Sequence, residues 1–143
     1  MQTFLPFSSF EESARVLDFR RLGKQRIECL QILIALNNPN YGWQNHPAVK
    51  MWKNHTKWLA KYGLTICTEW IGRGYNDTCY NKIFKFYNPD NSAINWMGKK
   101  PKFIGNEKFH ASHRAALLFK NAEYYKQFNW KESPELNYIW LVK

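Results

Sequence analysis

One carboxylate stands among four cations in the stretch RRLGKQRIE, residues 20–28. In a helix, residues three, four and seven apart share a face, so Arg21, Lys24 and Glu28 would project together. Lys24 and Glu28 could form an exposed ion pair, which stabilises a helix by only about 0.5 kcal/mol. The same residues could instead belong to an active site, and their spacing alone does not decide between the two.

Arg26 breaks the pattern of this helix. At about 100° per residue it projects into the apolar arc between Phe19 and Leu33, away from the other cations. An unpaired guanidinium is costly to remove from water. Two interpretations remain open: a structural ion pair with a carboxylate, or a contact between its forked donors and a phosphate or base at the helix edge.

A second polar group occurs in the stretch FHASHRAALLFKNAEYYKQF, residues 109–128. Helical spacing places His110, His113 and Arg114 together. Zinc usually requires three or four protein ligands, and no pattern joins these histidines to the other two, so we expect no metal site. Histidine and arginine both donate hydrogen bonds and stack on rings, which favours a phosphate or flipped-base contact. These residues could also form the pocket of an enzyme acting on a modified base or nucleotide.

The elements that must position these residues are mostly helical. Helical signals cover residues 9–36, 45–63, 64–72 and 109–128. Serine and two acids near Ser9 favour the start of the first helix, and the asparagines and proline of residues 37–40 end it. Residues 73–109 lack periodicity and are rich in asparagine, glycine and aromatic residues, as loops are. We predict a mainly α fold: one compact domain, residues 1–143, forming a bundle of about three to four helices with a long irregular basic and aromatic loop region.

Lysines gather in two further places. Four lysines of the second predicted helix fall within about 80° of one face, where they could follow phosphates or simply face solvent. They are Lys50, Lys53, Lys57 and Lys61. In the loop stretch NWMGKKPKF, three lysines lie between aromatic residues: Lys99, Lys100 and Lys102. Trp96 or Phe103 could stack on a base while these lysines bind phosphates, or the rings could be core residues that anchor the loop.

Composition points to a nucleic-acid partner. The 143 residues include 21 lysines and arginines against 11 acids, a formal net charge of +10, and such an excess attracts polyanions. The longest apolar run, LQILIAL, is far shorter than the roughly 20 residues that cross a bilayer, so we expect no membrane partner. The start of the chain lacks the pattern of a signal peptide. We expect an intracellular protein, in the cytoplasm or nucleoid, or in the host cell if viral.

Cysteine spacing and motif content exclude several classes of site. Cys29, Cys67 and Cys79 form no C-x-x-C pair, and in an intracellular protein they are expected to be reduced thiols. The sequence contains no G-x-x-x-x-G-K-[ST] loop, no G-x-G-x-x-G and no G-x-S-x-G. A nucleotide hydrolase or a Rossmann enzyme is therefore not supported, and we expect no cofactor.

Two levels of resemblance connect the chain to a known family. The stretch RLGKQRIEC resembles a helical segment of the phage-type pyrimidine-dimer DNA glycosylases, which are small helical enzymes. Over nearly its full length, the chain also resembles a group of short bacterial and viral proteins placed near those enzymes. The blocks of this second group are present here as RLGKQRIE, YGWQNHPAVKMW, CTEW, FHASHRAALLFK and LNYIW.

The resemblance implies a compact fold of three helices without a metal. It also implies an amine nucleophile at the start of the chain and an essential glutamate in the first helix. The amine attacks the sugar C1′ and displaces the damaged base, and the resulting Schiff base can undergo β-elimination that nicks the strand. Glu28 matches the glutamate, and Arg21, Lys24 and Arg26 would hold phosphates close to it.

Two departures from the family pattern concern these assignments. The second residue is Gln2, whose bulk should leave Met1 in place, so that the nucleophile would be the Met1 amine. Ile27 separates Arg26 from Glu28, whereas arginine and glutamate adjoin in the family pattern. The resemblance therefore transfers the glutamate more directly than it transfers the arginine.

We expect a base-excision repair enzyme that binds double-stranded DNA as a monomer. It would be a DNA glycosylase with associated AP-lyase activity through an amine Schiff base, with pyrimidine dimers as substrates, and a lesion would have to be made accessible by bending or flipping. One alternative is a non-catalytic nucleic-acid-binding protein that uses the four lysines of the second helix and the 96–103 loop. Another is the enzyme described above, with its pocket at His110, His113 and Arg114.

Overall fold

The computed structural model describes residues 1–88 and 96–141, which form seven α-helices and one 3₁₀ turn, with no strand among them. The helices are α1 (Phe10–Val16), α2 (Phe19–Asn37), α3 (Pro47–Met51), α4 (Thr56–Gly72), α5 (Tyr80–Tyr87), α6 (Glu107–Lys120) and α7 (Ala122–Tyr125). The predicted mainly α fold is confirmed. The expected number of three to four helices is too low, because breaks divide three of the predicted helices, residues 9–36, 45–63 and 109–128, and because α5 was not foreseen.

The first predicted helix, residues 9–36, is two helices. Its start is confirmed, since the Ser9 hydroxyl accepts a hydrogen bond from a backbone N–H in the first turn of α1. The chain is extended at Leu17 and Asp18 before α2 begins. Leu17 is fully buried, and the Asp18 N–H donates to the Tyr125 hydroxyl oxygen (3.0 Å) while that hydroxyl donates to the Asp18 carboxylate. These contacts, distant in sequence, stabilise a break that the local pattern does not reveal.

The helix boundary predicted after residue 63 is wrong. Gly63 was expected to end one helix, but α4 runs through it without interruption. A Cβ at this position would lie 2.5 Å from the Cys29 Sγ, closer than van der Waals contact allows. The glycine therefore permits the close approach of α4 to α2, and it does not act as a helix terminator.

A turn at residues 52–55 divides the second predicted helix instead. α3 ends at Met51, and the next helix begins at Thr56. Trp52, within the turn, is fully buried, and its Nε1–H donates to the Thr3 hydroxyl (2.9 Å). The turn thus places a large ring against the start of the chain, which a continuous helix would not do.

The region predicted to be irregular, residues 73–109, contains one helix in its described part. The Asp77 carboxylate accepts hydrogen bonds from the N–H groups of Cys79 (3.1 Å) and Tyr80 (2.7 Å), and these bonds fix the first turn of α5. Residues 89–95 of the predicted loop lie outside the described residues. The part from residue 96 to α6 is irregular, as expected.

Helices α2 and α4 cross at the centre, and α1 and α5 pack against α4. The core contains fully buried leucine and isoleucine side chains from both central helices, among them Leu22 and Leu59. Cys29, Cys67 and Cys79 are buried and form no disulfide, as predicted. Burial raises the pKa of the Cys29 and Cys67 thiols, which keeps them protonated and unreactive.

The first six residues, here called the N-terminal segment, run through the interior instead of over the surface. Gln2 and Thr3 are buried, as are Phe4 and Leu5. The segment lies between α2 on one side and α6 on the other, because both helices supply side chains that bind its backbone. The start of the chain is thereby positioned beside the first half of α2. In the described part of the chain, no helix is both long and apolar enough to cross a bilayer.

Candidate active site

A pocket of about 340 Å³ opens beside Glu28. Its walls come from the N-terminal segment, from the first half of α2, from Lys120 at the end of α6 and from Tyr138 in the extended C-terminal stretch. Four cations line it: Arg20, Arg21, Lys24 and Lys120. A larger groove of about 720 Å³ lies between α1, α4 and α5, but its lining includes neither Glu28 nor Met1.

The contacts of Glu28 go beyond an exposed ion pair with Lys24 on the surface of the helix. Its side chain is only 11% exposed, whereas that of Lys24 is 74% exposed, with 3.7 Å between Lys24 Nζ and Glu28 Oε1. Glu28 Oε2 accepts hydrogen bonds from the Gln2 N–H (3.1 Å) and the Gln25 side-chain amide (3.1 Å). A carboxylate held this firmly at a pocket wall has the fixed geometry that proton transfer or charge stabilisation requires.

The start of the chain reaches the same pocket. Met1 lines it, and three backbone bonds separate the Met1 amine from the Gln2 N–H that binds Glu28. The positive charge of the amine also acts on His46. Partial burial is the largest cause that lowers the pKa of His46, and the positive N-terminus is the second, whereas Glu28 acts to raise this pKa. The two predicted catalytic groups, Met1 and Glu28, are therefore neighbours.

Of the predicted phosphate-binding residues, Arg21 and Lys24 line the pocket and Arg26 does not. Arg26 Nη1 lies 2.6 Å from Asp77 Oδ1, and its guanidinium stacks 4.4 Å from the centre of the Trp70 ring. The sequence left two interpretations of Arg26 open, and the structure shows the first of them, a structural ion pair with a carboxylate. Burial alone would raise the pKa of Asp77, but hydrogen bonds from Arg26 and from the backbone outweigh it and lower this pKa.

The second polar group was expected to contact nucleic acid or to form a pocket. Its side chains instead face the interior: His110, His113 and Arg114. His110 Nδ1 donates to the Leu5 carbonyl (2.8 Å), since its Nε2 accepts from a backbone N–H, and His113 Nδ1 accepts from the Leu5 N–H (2.9 Å). Arg114 Nη1 donates to the Pro6 carbonyl (2.7 Å). Helical spacing does bring the three together, but the N-terminal segment covers them. In this conformation they brace that segment and do not present donors to a ligand.

The remaining bonds of Arg114 are ion pairs. Its guanidinium binds Glu132 (3.0 Å) and also Glu107. Burial lowers the pKa of Arg114, but the hydrogen bonds that its guanidinium donates to the two carboxylates outweigh burial, so the net shift is upward and the charge is retained. Among the residues that the structure describes, no group of three or more histidine, cysteine, aspartate or glutamate side chains is placed to hold a metal.

The four lysines predicted on one helix face lie on two helices and a turn. Lys50 belongs to α3, Lys53 to the following turn, and Lys57 and Lys61 to α4, so the premise of a single continuous stripe is wrong. Their contact with phosphate stays a prediction. Lys61 stacks over the Trp58 ring at 5.7 Å from its centre and lines the larger groove.

The loop lysines Lys99, Lys100 and Lys102 are exposed. Of the two rings beside them, Phe103 is a core residue (2% exposed) that anchors the loop, whereas Trp96 is 74% exposed and free of the core. Phe103 is therefore a core residue that anchors the loop, whereas the exposed ring of Trp96 remains available for stacking on a base.

Several residues of the pocket were not singled out from the sequence. Gln25 carries no charge and gives no pattern, Arg20 is one cation among several, and Lys120 and Tyr138 come from a distant part of the chain. Burial raises the pKa of Tyr138 to about 12, so its hydroxyl stays protonated at the pocket wall. The blocks FHASHRAALLFK and LNYIW, which end at or contain these last two residues, are the signal that could have identified them.

Comparison with models of known protein families gives a match over the first part of the chain. The family model described as pyrimidine dimer DNA glycosylase matches residues 1–82, which include the N-terminal segment, α1 to α4 and Glu28. Neither a curated protein nor a solved structure matches significantly. Lys120 and Tyr138 lie outside the matched region. Since the match covers 82 of 143 residues, more than half, the chain belongs to the pyrimidine dimer DNA glycosylase family.

Proposed function

We propose that this protein is a DNA glycosylase with associated AP-lyase activity on double-stranded DNA, and that the Met1 amine and Glu28 carry the reaction. The observation that supports this most is the shared pocket. Met1 and Glu28 both line it, and the Gln2 N–H, next along the chain from the amine, donates to Glu28 Oε2 (3.1 Å). A nucleophile and a carboxylate so close together can act on one carbon atom.

The proposed reaction begins with the neutral Met1 amine. Its nitrogen forms a bond to C1′ of the deoxyribose, the C1′–N bond to the base breaks with its electron pair, and the base leaves with a proton. The attached nitrogen loses a proton, and opening of the C1′–O4′ bond gives the protonated Schiff base. Glu28 would accept the amine proton or stabilise the positive charge that develops at C1′.

The second half of the reaction cleaves the strand. A proton is lost from C2′, and the C3′–oxygen bond breaks so that the 3′ phosphate leaves, which is β-elimination. Water then hydrolyses the Schiff base and returns the free amine. We assign removal of the C2′ proton to Glu28 as well, because C2′ is bonded to C1′, the carbon that the amine holds beside this carboxylate.

The charges around the pocket support DNA as the substrate. Arg20, Lys24 and Lys120 line it, and a net charge of +10 attracts a polyanion over a longer range. Arg21 also lines the pocket, but its Nη1 already binds the Asp18 carboxylate (3.1 Å). We therefore assign the phosphate contacts first to Arg20 and Lys120, and to Lys24, because its pair with Glu28 is long (3.7 Å) and its side chain is 74% exposed. The proposed enzyme acts as a monomer on DNA inside the cell.

Borohydride trapping on duplex DNA with an abasic site tests the proposal. Intact-mass measurement first establishes whether Met1 is the first residue of the purified chain. Wild type, a form acetylated at its N-terminus, Glu28→Gln and the surface control Glu12→Gln are then compared. We expect an adduct with wild type and with Glu12→Gln, none after acetylation, and peptide mapping of the adduct to Met1.

Two results would change the conclusion. An adduct that survives acetylation would move the nucleophile to a lysine, with Lys24 and Lys120 the nearest choices in the pocket. DNA binding without any adduct would overturn the amine mechanism and favour a non-catalytic binding protein. Release of base from duplexes that contain a pyrimidine dimer, compared with undamaged duplexes, then tests the glycosylase step itself.

A further inference from the structure

Gln25 joins the two halves of the candidate active site. It is 1% exposed and lies on α2, one turn before Glu28. Its Nε2 donates to the Gln2 carbonyl (2.8 Å) and to Glu28 Oε2 (3.1 Å). The Gln2 N–H donates to that same Oε2 (3.1 Å), so both backbone polar groups of residue 2 are bound by side chains of α2.

The other end of the Gln25 side chain is equally occupied. Its Oε1 accepts from the Phe4 N–H (2.9 Å) and lies 2.6 Å from the Tyr62 hydroxyl. That hydroxyl is also 2.7 Å from the Phe4 carbonyl, and its single hydrogen serves one acceptor at a time. All four hydrogen-bonding positions of the Gln25 amide thus have a partner within reach, and two of these partners belong to the N-terminal segment.

The orientation of this amide is determined by its partners. With Nε2 and Oε1 exchanged, the amide would face the Phe4 N–H with a donor. It would also face the Gln2 carbonyl and Glu28 Oε2 with an acceptor. Three favourable contacts would become unfavourable, so only the observed orientation fits. A primary amide is the one neutral side-chain group that supplies two donors and an acceptor in this arrangement.

We propose that Gln25 is a positioning residue, which fixes the Glu28 carboxylate and the N-terminal amine relative to each other for the reaction proposed above. It does not contact the reacting sugar. Its effect reaches the chemistry through Glu28 and through the peptide that follows the amine. This inference rests on the proposed function and adds a residue to which the resemblance assigns no role.

The test uses two substitutions at Gln25 and a control on the same helix. Gln25→Met keeps the shape of the side chain but removes all its hydrogen bonds. Gln25→Glu keeps the acceptor and replaces both donor hydrogens with a second carboxylate oxygen. Gln31→Met, two turns further along α2 and partly exposed, controls for the loss of a glutamine from this helix. Thermal unfolding establishes that each variant is folded.

Two quantities are measured on duplex DNA with an abasic site: the single-turnover rate of borohydride-trapped adduct at saturating protein, and the Kd without borohydride. We expect Gln25→Met to slow adduct formation about 10- to 100-fold, since small displacements of reacting groups have effects of this size. The Kd should stay at the wild-type value, because Gln25 is only 1% exposed and its amide is occupied by partners within the protein. Gln31→Met should match wild type in both.

Gln25→Glu provides a readout that a merely structural role would not give. A protonated carboxyl can donate one of the two lost hydrogen bonds, whereas an ionised one repels Glu28. We therefore expect its rate, relative to wild type, to recover as the pH is lowered, while Gln25→Met shows no such recovery. If Gln25→Met does not fold, this pH dependence alone decides the matter.

The outcomes separate this inference from the proposed function. If wild type forms no adduct, the proposed function fails and the inference fails with it. If wild type forms an adduct and Gln25→Met forms it at the same rate, only the inference is overturned. Parallel loss of rate and of DNA affinity in the Gln25 variants, without recovery of Gln25→Glu at lower pH, would also overturn it.

Discussion

Two polar clusters bind the N-terminal segment from opposite sides. The α2 cluster consists of Gln25 and Glu28 together with Tyr62 of α4, and it binds the backbone of residues 2 and 4. The α6 cluster consists of His110, His113 and Arg114, and it binds residues 5 and 6. Both clusters are largely buried, and both use side-chain groups to satisfy an irregular backbone.

The two clusters differ in where their polar atoms without a close hydrogen-bond partner lie. Glu28 and Gln25 border the pocket, and among the described residues Glu28 Oε1 has only the ion pair with Lys24 at 3.7 Å. None of the three α6 residues lines this pocket. Arg114 donates to two carboxylates and a carbonyl, and His113 Nε2, which has no hydrogen-bond partner among the described residues, is buried away from the pocket. Burial and polarity alone therefore do not distinguish a reactive group from a brace. The difference lies in whether a polar atom faces a space that a substrate can enter.

The largest expected contrast is between activity and stability at Glu28. Glu28→Gln retains an oxygen that can accept the hydrogen bonds from Gln2 and Gln25, so the fold should be preserved. Loss of the carboxylate should slow strand cleavage at an abasic site by about 10²- to 10⁴-fold, the range for one acid–base group. Cleavage assays and thermal unfolding of the same samples measure both effects. A variant that loses stability but keeps its rate would place Glu28 with the braces.

The opposite pattern is expected at Arg114. Arg114→Met removes the bond to the Pro6 carbonyl and leaves Glu132 without its partner. We expect a loss of roughly 3 kcal/mol in the free energy of unfolding, at the lower end for a broken buried pair because Glu132 is 23% exposed. Urea unfolding measures this loss. Lys126→Met, which breaks the exposed pair with Glu123, is the control and should change stability little.

Arg114→Met also tests the division between the clusters. At a temperature where the variant is fully folded, its rate per folded molecule should stay within the same order of magnitude as that of wild type, since the α2 cluster still holds residues 2 and 4. A loss of rate as large as that of Glu28→Gln would mean that the α6 cluster shares in the chemistry.

A smaller effect concerns pH and the α6 cluster. Burial first, and the neighbouring His110 second, together lower the pKa of His113 to about 3, against an unperturbed value of 6.5. Between pH 6.5 and about 3, His113 therefore binds a proton in the unfolded chain but stays neutral in the folded chain. The free energy of unfolding should fall as the pH drops from 6.5 towards 3, by at most about 1.4 kcal/mol per pH unit from this residue.

Urea unfolding of wild type and His113→Phe between these pH values isolates this contribution. The variant begins less stable, because the Leu5 N–H loses its acceptor. Its stability should nevertheless fall less steeply with acid than that of wild type. Equal slopes for the two proteins would show that His113 takes up its proton in the folded state, and that the cluster is less closed than its geometry indicates.

The sequence predicts the two clusters to different degrees, for physical reasons. Helical spacing grouped Glu28, Arg21 and Lys24, because spacing is local and charge is visible in the sequence, but the resemblance to a known family singled out Glu28 as catalytic. Gln25 was missed, since an uncharged amide has no signal until its partners are known. The three residues of the α6 cluster were correctly grouped. They were expected to face a ligand, whereas in the structure they are buried. Whether a helix face is covered depends on the N-terminal segment, and no periodicity predicts its burial.

The same distinction holds for the fold. Periodicity and capping residues predicted a mainly α chain and the start of α1 at Ser9. The breaks were missed at Asp18, which binds Tyr125, and at Trp52, which binds Thr3. Gly63 was interpreted as a helix end because close packing against Cys29 cannot be seen locally. Each of these three errors concerns a contact between residues far apart in sequence, whereas the start of the unforeseen helix α5 is fixed by the local contacts of Asp77.

The smallest expected effect compares the cations beside the α2 cluster with the lysines of α4. Lys24 lines the pocket and Lys57 does not, although both could bind phosphate. If DNA enters the pocket as proposed, Lys24→Gln should reduce the slope of log Kobs against log salt concentration by about 0.9, the value for one phosphate contact. The control is Lys126→Gln, a lysine held by Glu123 in an exposed pair, which should leave the slope unchanged.

Lys57→Gln then determines how far the DNA-binding surface extends. A reduction of about 0.9 in the slope would join α4 to the interface. An unchanged slope would confine the contacts to the pocket and return the α4 lysines to solvent. Fluorescence anisotropy over a salt series on one abasic duplex gives all of these slopes. A wild-type slope for Lys24→Gln would contradict entry of DNA at the α2 cluster, and it would remove the difference on which the comparison with the α6 cluster depends.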